Sequence, residues 1–173
     1  MACIINASTS AGLVQTADTS GILQFQQNGV ALPNGGVAPA FSAYASSATS
    51  LSNGAFTKIT FDTELFDTNN NFASNRFTPT VAGYYQLNSA VSLGAWVATV
   101  TVIMIYKNGS ELLRGTVNAN TSASIANVVS GLVYANGSTD YFEIYGYQNS
   151  GIANSTGSGA NLVWFNGSLV RGT

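Results

Sequence analysis

The sequence predicts an antiparallel β-sandwich, and three observations carry that prediction. Short runs rich in β-branched and aromatic residues recur roughly every ten to fifteen residues. From residue 37 onward, Asn-Gly pairs, which tolerate the positive φ of a type I′ hairpin turn, fall at 53–54, 108–109, 136–137 and 166–167. No segment keeps a helical period beyond about two turns.

Taken in chain order, the predicted strands are Ala40–Ala45, Thr57–Phe61, Phe72–Phe77, Tyr84–Leu93, Ala98–Lys107, Glu111–Val117, Ser124–Tyr134, Asp140–Gln148 and Asn161–Val170. The most apolar of them, Val100–Tyr106, is interrupted by Thr101 and reads as a buried strand, far too short for a membrane span. Alternation is clearest in Tyr141–Gln148. Phe142 and Ile144 share one face, and Tyr141, Glu143, Tyr145 and Tyr147 share the other. The first face belongs to the core. The second is an aromatic stripe with hydroxyls, which suits a subunit boundary where one end of each ring is buried and the other meets water. An ordinary solvated face with high β-propensity is the plainer alternative. Trp96 and Trp164 read first as core or interface packing. Trp96, Asn149 and Asn154 also border or occupy loops able to hold a ligand. Thr156-Gly157-Ser158-Gly159 lacks the Lys-Ser/Thr of a phosphate loop and reads as a mobile loop.

Composition sets the surface chemistry. Ser, Thr, Asn and Gly supply 73 residues, and only 7% of the chain is charged, against about 25% in ordinary globular proteins. Such a chain stays soluble through hydroxyls and amides, and its own charge opposes association weakly. Lys58, Arg76, Lys107, Arg114 and Arg171 are scattered, so no basic patch points to nucleic acid. The N-terminus has neither the basic start nor the apolar run of a secretory signal, so synthesis without secretion is expected. Cys3 is the sole cysteine, and no internal disulfide is expected.

Charge also divides the chain. Residues 1–57 hold one charged side chain, Asp18, and Pro33–Pro39 (PNGGVAP) has linker composition. This predicts an N-terminal arm over 1–36 and a globular body over 37–173. The arm holds two strand-like runs, Gly12–Thr16 and Gly21–Gln27, around the turn residues Asp18-Thr19-Ser20-Gly21. A hairpin of that size is marginal alone in water. It must dock on its own body, on sister chains or on a foreign surface. Leu13, Val14, Ile22, Leu23 and Phe25 are its candidate attachment residues.

The chain has no histidine, which removes Ser-His and Cys-His catalysis and imidazole metal sites. Asp62, Glu64 and Asp67 form the one acidic cluster. They supply two or three oxygen ligands where Ca²⁺ takes six to eight, so solvation is the better reading. No catalytic residue, metal site or cofactor is expected.

From Pro39 onward the order of short motifs resembles the globular head of complement component one, subcomponent q, within the wider tumour-necrosis-factor-like jelly rolls. The residues are Pro39-Ala40-Phe41-Ser42-Ala43, Thr57-Lys58-Ile59-Thr60-Phe61, Phe72, Phe77-Thr78-Pro79 with Val81-Ala82-Gly83-Tyr84-Tyr85, Val100 to Gly109, Val129–Tyr134 with Asp140-Tyr141-Phe142, and Phe165–Val170. Gly83 frees the start of its strand from a Cβ, and Gly167 lets another backbone or ring approach the last strand. The resemblance implies an all-β antiparallel jelly roll and a homotrimer, with Tyr141, Tyr145 and Tyr147 as candidate trimer contacts. A collagen-like stalk is absent, and Asp67–Asn71 departs from the family's segment, so loop ligands there do not carry over. The arm residues Thr16–Gly29 resemble a segment of tail-fibre and other structural proteins of bacteriophages. Together these suggest a virion-surface protein, a trimer decorating and cementing the capsid by contact with the major capsid protein. The rival is a tail-fibre or tail-tip module, partnered by tail or baseplate proteins, that recognises a host glycan or surface protein. Neither nucleic acid nor membrane is an expected partner.

Overall fold

A computed structural model describes residues 26–27, 30–31, 38–94, 98–120 and 124–173. The chain divides into two units, Met1–Leu32 and Pro33–Thr173. In the first, β1 (Gln26–Gln27) and β2 (Val30–Ala31) form an antiparallel ladder with Gln27 opposite Val30. Apart from Gln26–Gln27, the runs expected to pair, Gly12–Thr16 and Gly21–Gln27, and the attachment residues Leu13, Val14, Ile22, Leu23 and Phe25, lie outside the described residues.

The second unit is all-β, with no helix among the described residues. Its strands begin with β3 (Ala40–Tyr44), β4 (Ser50–Leu51), β5 (Thr57–Lys58), β6 (Thr63–Asp67), β7 (Phe72–Ala73) and β8 (Arg76–Phe77). The long strands follow: β9 (Gly83–Leu93) and β10 (Ala98–Lys107), then β11 (Ser110–Arg114), β12 (Asn118–Asn120), β13 (Ile125–Ala135) and β14 (Phe142–Gln148). β15 (Asn154–Ser155) and β16 (Val163–Gly172) complete the chain. One sheet runs β13-β9-β16-β3-β6. The other runs β11-β10-β14-β8-β7, with β12 added to β10 and β5 to β14. All strand pairs in both sheets are antiparallel.

Between the sheets lies an aromatic core. Phe41 stacks on Phe77 at 4.2 Å between centroids and meets Phe165 edge-on at 4.9 Å. Leu87, Val91, Ile103, Ile105, Phe142 and Ile144 surround it, all fully buried. Edge-to-face and offset pairs of this kind add about 0.5–1.5 kcal/mol each beyond area burial. Tyr85 is buried among them, and its hydroxyl donates to the Val81 carbonyl at 2.7 Å. That burial pushes its phenol up to about 12.

Turn chemistry explains the connections. Asn108 and Gly109 both have positive φ, 53° and 80°, and Lys107 pairs with Ser110 across a two-residue turn. Asn166-Gly167 is different, because it sits inside β16. There a Cβ on Gly167 would stand 2.4 Å from Leu87 Cδ2 and 3.0 Å from the Phe41 ring, so the glycine serves close approach rather than a turn. The predicted single strand 72–77 is instead the hairpin β7–β8. Ser74 and Asn75 turn it with φ of 54° and 59°. Residues 156–159, expected to be mobile, are tied down at three points. The amides of Thr156, Gly157 and Gly159 donate to the carbonyls of Thr49, Ser92 and Ala45 at 2.7–2.9 Å.

Candidate interaction surfaces

Two outward faces remain once the core is closed, and they are built differently. On the β10–β14 face, alternation brings Tyr106, Glu143, Tyr145 and Tyr147 to the outside. Glu143 is buried nonetheless, at 2% exposure. Its Oε1 accepts Lys58 Nζ at 2.7 Å and Arg76 Nε and Nη2 at 2.8 Å. Burial alone would push the Glu143 carboxyl up. The hydrogen bonds and charges of Lys58 and Arg76 outweigh that and hold it below the usual glutamate range. Lys58 comes from β5 and Arg76 from β8, two-residue strands with few ladder bonds, so Glu143 staples both to β14. Above this staple the guanidinium of Arg76 lies 3.7 Å from the centre of the Tyr141 ring. Tyr145 stacks on Tyr106 at 4.1 Å, and Phe56 lies against Tyr147 at 5.1 Å and Tyr106 at 6.5 Å.

The structure thus places Tyr141, Tyr145 and Tyr147 on one face, as the alternation predicts. Each is half-buried within its own chain. Sequence reasoning put Glu143 on this face but missed its burial and its partners Lys58 and Arg76, and it missed Phe56. A charged residue within an aromatic strand was the available signal; its partners lie 85 and 67 residues away.

The face of the other sheet is open. Tyr84, Val128, Leu132 and Tyr134 stand exposed along β9 and β13, with Leu132 at 57%. The pairs Tyr84–Tyr134 and Val128–Ala90 face each other across the ladder. Beside them runs an amide and hydroxyl network. Gln86 Nε2 donates to Ser130 Oγ at 2.9 Å, Ser130 Oγ to Asn88 Oδ1 at 2.8 Å, and Asn88 Nδ2 to Asn166 Oδ1 at 3.1 Å. Two shallow grooves flank the network. One, about 260 Å³, is lined by Ser42, Phe66, Asn88, Asn166 and Ser168. The other, about 240 Å³, is lined by Leu112, Leu113, Leu132 and Tyr134. Trp164 is half-buried on this side, paired in register with Tyr44 and Ala90.

The candidate ligand loop is a structured one. Asn149 Oδ1 accepts the Val100 amide at 2.8 Å, and Asn154 Nδ2 donates to Ser150 Oγ at 2.7 Å. Trp96 lies outside the described residues. Among the acids, Asp62 accepts the amide and hydroxyl of Ser46 at 2.6 and 2.8 Å, which lowers its carboxyl. Asp67 accepts the Phe72 amide at 2.6 Å, and Glu64 is exposed. Asp62 and Asp67 hold loops in shape, and the described residues contain no group of three or more metal-ligating side chains.

This architecture matches solved structures. The globular domain of zebrafish complement 1qA superposes with a TM-score of 0.59 at 19% identity, covering 79% of this chain and 99% of that one. The head is a complement-q and tumour-necrosis-factor-like jelly roll. Murine APRIL, at 12% identity, gives 0.61 over 77% of this chain and 99% of its own. The PRD1 vertex protein P5, at 17% identity, gives 0.52 over 79% of this chain and the whole of that one. No protein-family model matches the sequence, and no curated protein does.

Proposed function

We propose that this protein is a non-enzymatic structural component of a bacteriophage virion, a homotrimer that decorates and cements the capsid and is anchored by its N-terminal arm. The observation that carries the reading is the jelly-roll head, shared with the PRD1 vertex protein P5, joined to an arm, residues 1–36, that holds one charged side chain, Asp18. The tail-fibre-like arm segment Thr16–Gly29 supports a virion as the setting.

The open face offers the trimer contact. Tyr84, Val128, Leu132 and Tyr134 are exposed, and burying an exposed leucine-sized side chain contributes about 1.5–3 kcal/mol. We place the contact between copies there rather than at Tyr141, Tyr145 and Tyr147, which are half-buried in their own chain and leave less surface to cover. A trimer brings three arms to a three-fold or quasi-three-fold site, where weak single contacts add through avidity. The arms dock across neighbouring major capsid subunits, with strand addition at exposed edges as one route.

Deletion of residues 2–29 tests the assignment. The truncated protein is expected to trimerise yet fail to co-sediment with particles lacking it. Undiminished particle binding by the truncated chain contradicts arm anchoring.

A further inference from the structure

The outer surface of the β10–β14 sheet carries a strip that capsid decoration does not use. It begins at Arg76 over Tyr141, passes the buried Glu143, continues through stacked Tyr145 and Tyr106, and ends at Phe56 against Tyr147. Three features distinguish it from an ordinary solvated face. The tyrosines of β10 and β14 project from the middle of a sheet, so ladders on both sides fix their spacing. Phe56 stays 49% exposed although it is wholly apolar. The strip also holds two cations, Lys58 and Arg76, against one carboxylate, Glu143, a local charge of +1 in a chain of net charge −2.

Aromatic rings, phenolic hydroxyls and one excess positive charge are complementary to a particular ligand chemistry. Pyranose rings present apolar C–H faces that pack on aromatic side chains and release water. Their hydroxyls match the tyrosine hydroxyls. A sugar carboxylate matches a guanidinium, which makes strong charge-assisted hydrogen bonds to it. Glu143 engages Nε and Nη2 of Arg76. A guanidinium has five N–H donors, so donors remain for a ligand. The stacking on Tyr141 and the ion pair to Glu143 fix the group in advance, which lowers the ordering cost of binding.

We infer that this strip is a binding site for an acidic saccharide, with the sugar carboxylate at Arg76 and successive rings laid along Tyr145, Tyr106 and Phe56 toward Tyr147. It is separate from the structured loop around Asn149 and Asn154. It does not depend on the capsid assignment, since the strip lies on the sheet opposite the proposed trimer contact.

The test applies the labelled full-length protein to a printed array of carboxylate-bearing and neutral bacterial saccharides. Binding is expected on carboxylate-bearing saccharides, at least tenfold weaker on neutral ones, and weakening as salt rises. Phe56→Ser and Tyr147→Ser are expected to reduce the signal at least tenfold with unchanged circular dichroism. Val170→Ser, an exposed position on the other sheet, is expected to leave it intact. The inference is overturned by no signal on any acidic saccharide, by equal signal on neutral ones, or by full signal from folded Phe56→Ser and Tyr147→Ser. Capture of a host protein by the same two rings without saccharide binding overturns it as well.

Discussion

The two outward faces of the sandwich arise from the same rule and end in opposite states. Both are the alternate residues of long strands whose other residues fill the core. On the β10–β14 face most outward side chains find partners in their own chain: Glu143 holds Lys58 and Arg76, Tyr145 stacks on Tyr106, and Tyr147 is half-buried against Phe56, which itself stays exposed. On the β9–β13 face Tyr84, Val128, Leu132 and Tyr134 remain exposed beside an amide network. Alternation therefore identifies which side chains leave the core. Whether they are then satisfied depends on segments far away in sequence.

The comparison breaks most sharply at the open face. Replacing Val128 and Leu132 together with Asp is expected to convert the proposed trimer to single chains in sedimentation, because two charges would be buried per contact. The fold itself should change by no more than about 1 kcal/mol, about 0.5 for each substitution, since both positions are exposed in the single chain. Persistent trimers in that double variant would move the contact elsewhere.

A smaller effect is expected on the stapled face. Glu143→Gln removes the charge that holds Lys58 and Arg76, and urea unfolding should show a loss of roughly 1.5–3 kcal/mol, the range for hydrogen bonds to charged groups. Both cations are partly exposed and regain water, which keeps the cost below that of a fully buried pair. An unchanged unfolding midpoint would mean the staple is ornamental.

Acid sharpens the same point. The carboxyls of Glu143 and Asp140 are lowered in the fold, burial being outweighed by Lys58 and Arg76 for the first and by Lys107, Asn108 and the Asn136 amide for the second. A lowered carboxyl contributes stability that is complete above its unfolded value and lost as pH falls through its folded value. Stability should thus decline as pH drops below the ordinary values of 4.5 and 3.8. The Glu143→Gln protein should show a shallower decline in acid unfolding curves; parallel curves would remove Glu143 from the account. The smallest effect is expected from Asn166→Ala, which cuts one half-buried amide contact to Asn88. About 0.5–1.5 kcal/mol is the usual net worth of such a bond, read as a small shift in urea midpoint.

Much of the fold was legible because it is written locally. Tyr84–Leu93, Ala98–Lys107 and Asp140–Gln148 alternate or run apolar for long enough to declare themselves, and Asn108-Gly109 marks the hairpin from β10 to β11. The short elements were not legible. β6 reads TELFD, with no alternation and acids at two positions, and it forms because β3 offers an edge. β4 and β15 are two residues each and exist only through each other. The 72–77 segment looked continuous, since nothing in Ser74-Asn75 announces two consecutive positive φ angles. The candidate surfaces were half legible. The tyrosine stripe could be read by period, but the burial of Glu143 required Lys58 and Arg76, which only the sheet order brings to it.

Imaging of intact particles tests the proposed role most directly. With a label fused after Thr173, the account predicts density in groups of three on the capsid shell, lost when residues 2–29 are removed. Label confined to the tail tip, or absent from purified particles, would contradict it.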